Sequence, residues 1–507
     1  MIAQELFLGL MLIGLFAGIL SGIPAMLAIA GVPLVTALLG SLLGIFDLTF
    51  LNFFPARVYG VMSNPLLMAV PLFVLMGVLL ERSRLAEDML GVLARMLGGS
   101  PRGMALSVLA FSAIIAASTG IIGATVVMLV LIALPAMRKA GVETRLASGI
   151  ICASGTLGQI IPPSILLVLL GDQIGNAYLE AQQSAGNFAP DPVSVGDLFA
   201  GALLPGLMLV ALYAIYIFVR LRPATPPEPR APSDVTRSEI IACFLPPLLL
   251  ILSVLGSILS GIATTTEAAG LGAIGALFLA GYRGRGPWRR LRLVISSGVM
   301  GTLVLVLLSF SGLDAALFAM LCATLIALGT LAAGLRLAQS GVLTSAVAET
   351  IKVSGMVFGI VIAASMLALV FRGFGGDRMV ELMMEAVPGG TWGALALVMA
   401  VVFLLGFILE AVEIIYIVVP LLGPPILGSD LSPVWFGVLL AMNLQTSFLT
   451  PPFGFALFYF RSAAPRDITT TDIYLGVVPF VILQLIGLGV LIAVPELATW
   501  LPDLIFR

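Results

Sequence analysis

Gly158-Gln159-Ile160-Ile161-Pro162-Pro163-Ser164 and Ser447-Phe448-Leu449-Thr450-Pro451-Pro452-Phe453-Gly454 are two double-proline segments in strongly apolar surroundings, one in each half of the chain. Each predicts a broken membrane helix. Proline removes a backbone donor and clashes with the preceding turn, so a proline pair flanked by Gly, Ser and Thr leaves amides and carbonyls unpaired at membrane depth. Such backbone is tolerated there only when it is buried in protein or lines a cavity. Interrupted helices in corresponding positions of two halves point to the binding site of a secondary transporter.

Composition sets the class. The 60% apolar and 10% charged residues, with a mean hydropathy of +1.17, lie far outside the range of soluble domains and predict a polytopic membrane protein in a lipid bilayer. The net charge of −2 argues against a nucleic-acid partner. With no histidine in the chain, the commonest general base and metal ligand is missing, and no enzyme is expected. Cys152, Cys243 and Cys322 are isolated in apolar stretches and read as small core residues, with no disulfide, metal or cofactor. Residues 1–6 lack a basic leader, so the first apolar stretch, 6–29, reads as a retained membrane helix.

Two apolar stretches, 104–136 and 391–421, are too long for one span and predict re-entrant hairpins. The double prolines fall in the stretches 146–170 and 434–460. A Pro-rich segment at 221–238 reads as a linker. It divides the chain into a first repeat, 1–220, and a second, 239–507. Basic residues orient the spans by the positive-inside rule. Arg220, Arg222, Arg230 and Arg237 put the linker in the cytoplasm, as Arg283, Arg285, Arg289, Arg290 and Arg292 do for the next break. The segment 171–197 has no Lys or Arg but carries Asp172, Glu180, Asp191 and Asp197, and it should face outward.

The halves repeat. An amphipathic arm at about 82–98 leads into the first hairpin, and one at about 375–387 leads into the second. Ser118 precedes Pro162 by 162 − 118 = 44 residues, and Glu410 precedes Pro451 by 451 − 410 = 41, so hairpin midpoint and break recur at nearly one interval. The first arm is the more basic, which suits repeats of opposite topology. The expected fold is thus an all-α polytopic membrane protein with inverted-topology repeats, re-entrant hairpins and broken helices.

Several segments together resemble one family, the large membrane (M) subunit of tripartite ATP-independent periplasmic (TRAP) transporters, the DctM-like permeases. They are Ser112-Ala113-Ile114-Ile115-Ala116-Ala117-Ser118-Thr119-Gly120, Leu134-Pro135-Ala136-Met137, residues 155–164, residues 261–270, residues 406–420 and Thr450-Pro451-Pro452-Phe453-Gly454. The resemblance implies an elevator-type, sodium-coupled importer of a small organic acid, a carboxylate or sulfonate, in the bacterial inner membrane. It implies two partners, a small four-helix membrane (Q) subunit and a periplasmic substrate-binding (P) protein. The chain departs from the family pattern in two extra spans over 292–338, in Glu410 where Asp is more usual, in Glu413 one turn later, and in the long segment 171–197.

Sodium takes oxygen ligands, and a broken helix supplies carbonyls beside Ser and Thr hydroxyls. The cation-site candidates are Ser118, Thr119, Ser154, Gly155, Thr156, Gly158 and Pro162 in the first half, with Glu410, Gln445, Thr446, Ser447, Thr450 and Pro451 in the second. Ser164, Thr119 and Thr446 are candidates for the substrate. No Lys or Arg lies in the hairpin or break stretches, so an anion would rely on helix N-termini and bound cations. Glu267 reads as a structural, hydrogen-bonded carboxylate. The alternative function is a proton-coupled or cation/proton antiporter-like transporter using Glu410 and Glu413, which leaves the double-proline repeat and the hydroxyl cluster unexplained.

Overall fold

Apolar runs at membrane depth satisfy their backbone as helices, and the computed structural model is helical, with no strand among the described residues. It describes residues 2–83, 85–97, 100–221, 236–283, 289–311 and 316–506, and their side chains except those of 2, 85–87, 116–119, 289–290, 306–311 and 316. Most of the Pro-rich linker lies outside the described residues.

The chain opens with α1 (Ile2–Leu20) and α2 (Ala25–Leu42). The expectation of one span over 6–29 is corrected here: hydropathy continues through residues 21–24, but Gly22 adopts φ 86° and Pro24 precedes α2, so the chain turns back. Next come α3 (Phe54–Ser63), α4 (Ala69–Arg82) and the amphipathic α5 (Leu85–Met96). Helices α6 (Pro101–Thr119) and α7 (Ile122–Lys139) form a hairpin whose tip, Gly120, has φ 60°. The first broken helix is α8 (Thr144–Thr156) and α9 (Ile165–Ser184), followed by α10 (Val195–Arg220).

Beyond the linker run α11 (Arg237–Leu259), α12 (Thr265–Arg283), α13 (Arg289–Ser311), α14 (Ala316–Gln339) and the long α15 (Val342–Gly373). A second amphipathic helix, α16 (Gly376–Ala386), bends by 116° into α17 (Gly390–Leu405), which pairs with α18 (Ala411–Leu427) as a second hairpin. The second broken helix is α19 (Pro433–Leu449) and α20 (Phe455–Ala463), followed by α21 (Thr470–Ala493) and α22 (Glu496–Phe506). Nine helices among the described residues are long and apolar enough to cross a membrane. At the start of α12, Glu267 accepts from the Thr264 amide at 2.8 Å and its hydroxyl at 2.9 Å, the hydrogen-bonded structural role read from the sequence.

The halves pack across one another in matched pairs. Helix α2 lies along α15 as α12 lies along α4, and α7 packs on α20 as α18 packs on α9. Helices α13 and α14 touch backbone to backbone, where a Cβ on Gly298 would stand 3.0 Å from the Gly329 Cα. Ion pairs mark the two faces. Arg283–Asp88 (3.1 Å), Arg95–Glu239 (3.8 Å), Arg220–Glu143 (3.8 Å) and Arg138–Asp467 (2.6 Å) gather α5, the base of the first hairpin and the linker ends on one side. Arg372–Glu180 (2.7 Å) and Arg372–Asp377 (3.6 Å) gather α16, the end of α9 and the end of α15 on the other. The two hairpins therefore enter from opposite faces. Partly exposed pairs of this kind contribute little stability; their value here is positional. The guanidinium of Arg138 also holds the exposed Asp467 carboxyl below the usual carboxylate range.

Candidate functional site

The helix interruptions coincide with two of the chain's double prolines: α8 runs into a short turn at Leu157–Gln159 and residues 160–164 are not helical, while α19 stops at Leu449 and α20 starts only at Phe455. The Pro162–Pro163 and Pro451–Pro452 bonds are cis. Each break is met by a hairpin tip. At the first, a Cβ on Gly120 would stand 3.1 Å from the Ile165 amide nitrogen, so the tip covers the start of α9. At the second, a Cβ on Gly406 would fall 1.9 Å from Ser447 Oγ, which only glycine avoids. Tyr459 of α20 joins the two systems: its ring faces Gly123 at the start of α7, and its hydroxyl donates to Glu410 Oε1 at 3.4 Å.

The candidate oxygens fall into three groups. Thr156 Oγ1 donates to Ala153 O (2.9 Å), Thr446 Oγ1 to Met442 O (2.8 Å), Ser447 Oγ to Leu444 O (2.8 Å) and Thr450 Oγ1 to Thr446 O (2.7 Å). Each hydroxyl proton is thus committed to its own helix while the oxygen lone pairs stay free to accept. Ser164 Oγ donates across the break to Gln159 O at 2.8 Å rather than capping α9. Ser154 is the exception, 1% exposed, with a hydroxyl that has no hydrogen-bond partner among the described residues.

Gly155 lets α8 approach α7, since a Cβ there would stand 2.4 Å from Val126 Cγ2. Gly158 lies in the turn before the break and Pro162 within it, and Pro451 occupies the second break. Gln445 is grouped with Tyr213 of α10 and Gln484 of α21, all buried, and its amide has no well-formed hydrogen bond. The Ser118 and Thr119 side chains lie outside the described residues.

Sequence reasoning missed four groups. Ser112 Oγ on α6 and Gln159 Oε1 are buried without hydrogen-bond partners among the described residues, and α6 packs on α8 and on the turn that carries Gln159. Both residues sat in quoted motifs, yet nothing local marked them as orphans. Tyr459 becomes visible only through its contacts. Lys352 on α15 lines a cavity of about 550 Å³ with Glu410 and Glu413. It is one of two lysines in the chain and stands on α15 immediately before the apolar run 353–371.

Glu413 Oε2 accepts the Glu410 amide at 3.3 Å, the arrangement of a capping box at the start of α18. Carboxylates there satisfy orphan amides and complement the helix dipole in their ionised form. No group of three or more Cys, Asp or Glu suited to a transition metal occurs among the described residues. The buried orphan oxygens Ser112 Oγ, Ser154 Oγ and Gln159 Oε1 are neutral donors suited to a weakly held monovalent cation.

Paired hairpins and paired breaks in a multi-pass bundle define a transporter permease rather than an enzyme. The family model described as "Tripartite ATP-independent periplasmic transporter, DctM component" matches residues 10–320 and 291–497, and the chain belongs to this family. The matches overlap at residues 291–320, over most of α13 and the start of α14. The chain is 27% identical over 448 residues to the C4-dicarboxylate TRAP transporter large permease protein DctM of Vibrio cholerae serotype O1, covering 87% of this chain and 86% of that one. It is 25% identical over 446 residues to the ectoine TRAP transporter large permease protein TeaC of Halomonas elongata, covering 87% of each. In fold it is similar to the Alcanivorax borkumensis YdaH transporter, described as having an unusual topology, with a TM-score of 0.53 at 13% identity over 89% of this chain and 88% of that one.

Proposed function

We propose that this chain is the membrane permease of a sodium-coupled TRAP system that imports a small organic acid across the bacterial inner membrane. A periplasmic P protein delivers the acid and a small Q subunit flanks the permease. The relatives named for C4-dicarboxylate and ectoine support a carboxylate-bearing substrate. The observation that carries sodium coupling is the set of buried, unpartnered oxygens of Ser112, Ser154 and Gln159 where a hairpin meets a helix break. In the elevator form of this reading, α1, α2, α4 and α15 belong to a scaffold, α5 and α16 are arms, and the hairpins and broken helices move. The pair α13–α14 is a surplus scaffold hairpin. The antiporter alternative leaves the two helix breaks and the unpartnered oxygens beside the first of them without a role.

The test is uptake in proteoliposomes containing the chain, its Q subunit and its P protein. Uptake should require all three and an inward sodium gradient. Equal uptake with potassium, or uptake by the chain alone, defeats the proposal.

The elevator reading assigns Arg372–Glu180 to a latch between α15 and the moving α9. Beside it lies a cavity of about 590 Å³ lined by Thr391. Glu180→Gln is expected to raise the labelling rate of a cysteine at Thr391 from the outer side about two- to five-fold, as suits a partly exposed ion pair. The exchange Glu180→Arg with Arg372→Glu should restore the parental rate. Labelling that ignores both changes removes the latch.

A further inference from the structure

We infer that the cavity at the tip of the second hairpin takes an organic acid that also carries a cationic group, with its acid directed to Lys352 and its cation to Glu410 and Glu413. This rests on the transport reading above and narrows its substrate class. The walls come from both sides of the supposed moving boundary. The start of α2 contributes Met26, α15 contributes Lys352 and Met356, the second hairpin's tip contributes Ile408 and Glu410, and the first turn of α18 contributes Glu413. Apart from the three ionisable side chains the lining side chains are apolar, so among the described residues these three are the charged groups that a ligand in the cavity meets.

The opposite charges do not cancel one another. Among the described residues Lys352 forms no ion pair within 4.0 Å of either carboxylate, although all three groups line the one cavity. Glu413 is 6% exposed and engages one oxygen with the Glu410 amide, while Glu410 engages one with Tyr459. Each carboxylate keeps a second oxygen. The carboxylate pair opposes a second acid group on a ligand, because like charges brought together in a low dielectric are costly, whereas a cationic group beside the pair relieves the repulsion between them. A zwitterion meets complementary charge at both ends, and buried charges persist when they are paired.

The rival occupant of the carboxylate pair is a sodium ion, and matched probes separate the two. Taurine and isethionate differ only in ammonium against hydroxyl, as do β-alanine and 3-hydroxypropanoate. In the full chain, with Cys152, Cys243 and Cys322 replaced and Met356→Cys introduced, each probe is titrated against the rate of maleimide labelling at fixed sodium. Each zwitterion is expected to protect at a concentration at least about tenfold below its hydroxyl counterpart, since a site built for a polar group rejects the analogue lacking it. Glu413→Gln should bring the members of each pair close together, while Lys352→Met weakens protection by both members alike.

Equal protection within pairs, better protection by the hydroxy acids, or protection by none of the four overturns the inference. So does a Glu413→Gln variant that keeps the preference and instead needs more sodium, which would give the carboxylates to the ion. Sodium-driven uptake by the three-component system is measured in parallel. If uptake stands while the preference is absent, only this inference falls; if uptake itself is sodium-independent, the transport reading falls first.

Discussion

Ser154→Ala is expected to raise the sodium concentration for half-maximal uptake about five- to a hundred-fold, the equivalent of the roughly 1–3 kcal/mol that a lost contact to a buried polar group costs. The sign makes the test decisive. Ser154 Oγ is buried and has no partner among the described residues, so if it binds nothing, deleting it relieves an unsatisfied hydroxyl and leaves stability equal or improved. A loss of sodium affinity without a loss of melting temperature therefore identifies a ligand. Thr156→Val and Thr446→Val should act in the same direction, because each removes an oxygen whose proton is held by its own helix but whose lone pairs are free. Glu410→Gln should leave sodium dependence in place. If instead the Thr and Ser variants keep parental sodium dependence while Glu410→Gln abolishes the pH dependence of transport, the antiporter-like alternative replaces the sodium-coupled one.

Gly476→Val is expected to prevent recovery of folded permease. Helices α8 and α21 cross backbone to backbone: a Cβ on Gly476 would stand 2.1 Å from Arg145 O, and one on Gly149 would stand 2.0 Å from Gly476 O. Side-chain rotation cannot relieve a clash with a carbonyl, so the helices must separate, and with them the packing that supports Ser154. Overpacking of a tight interface costs about 1–3 kcal/mol even where neighbours adjust, and membrane helix pairs rely on such small-residue contacts. The measurement is the yield and melting temperature of monodisperse protein in detergent. Gly489→Ala and Gly355→Ala, where a Cβ meets nothing within 4 Å, serve as controls and should behave like the parent. Parental melting in Gly476→Val would show that α8 and α21 are not held together in this way.

Much of the architecture could be read along the chain because its determinants are local. Pro162-Pro163 and Pro451-Pro452 coincide with the two helix breaks, although Pro246-Pro247 and Pro424-Pro425 are carried inside α11 and α18, so a proline pair alone does not decide a break; Gly120 permits a left-handed turn, and the faces of α5 and α16 carry their own periodicity. Hydropathy fails where a turn is itself apolar. At residues 21–24 no polar residue but Ser21 interrupts the run, and Gly22 with Pro24 turns a chain that looks continuous.

The sequence by itself determined the membrane class, the two breaks, the two hairpins and the repeat, since backbone hydrogen bonding in an apolar medium leaves few alternatives to helices interrupted at prolines. Only the tertiary structure decided which polar groups share a space. Lys352 reaches the cavity of Glu410 and Glu413 because α15 passes the second hairpin, and Tyr459, on α20 against α7 of the first hairpin, also reaches Glu410 at the tip of the second. Gln445 joins Tyr213 and Gln484 because α10, α19 and α21 meet there. These contacts depend on helices far apart in sequence finding one another through shape and small residues, a property no local stretch contains.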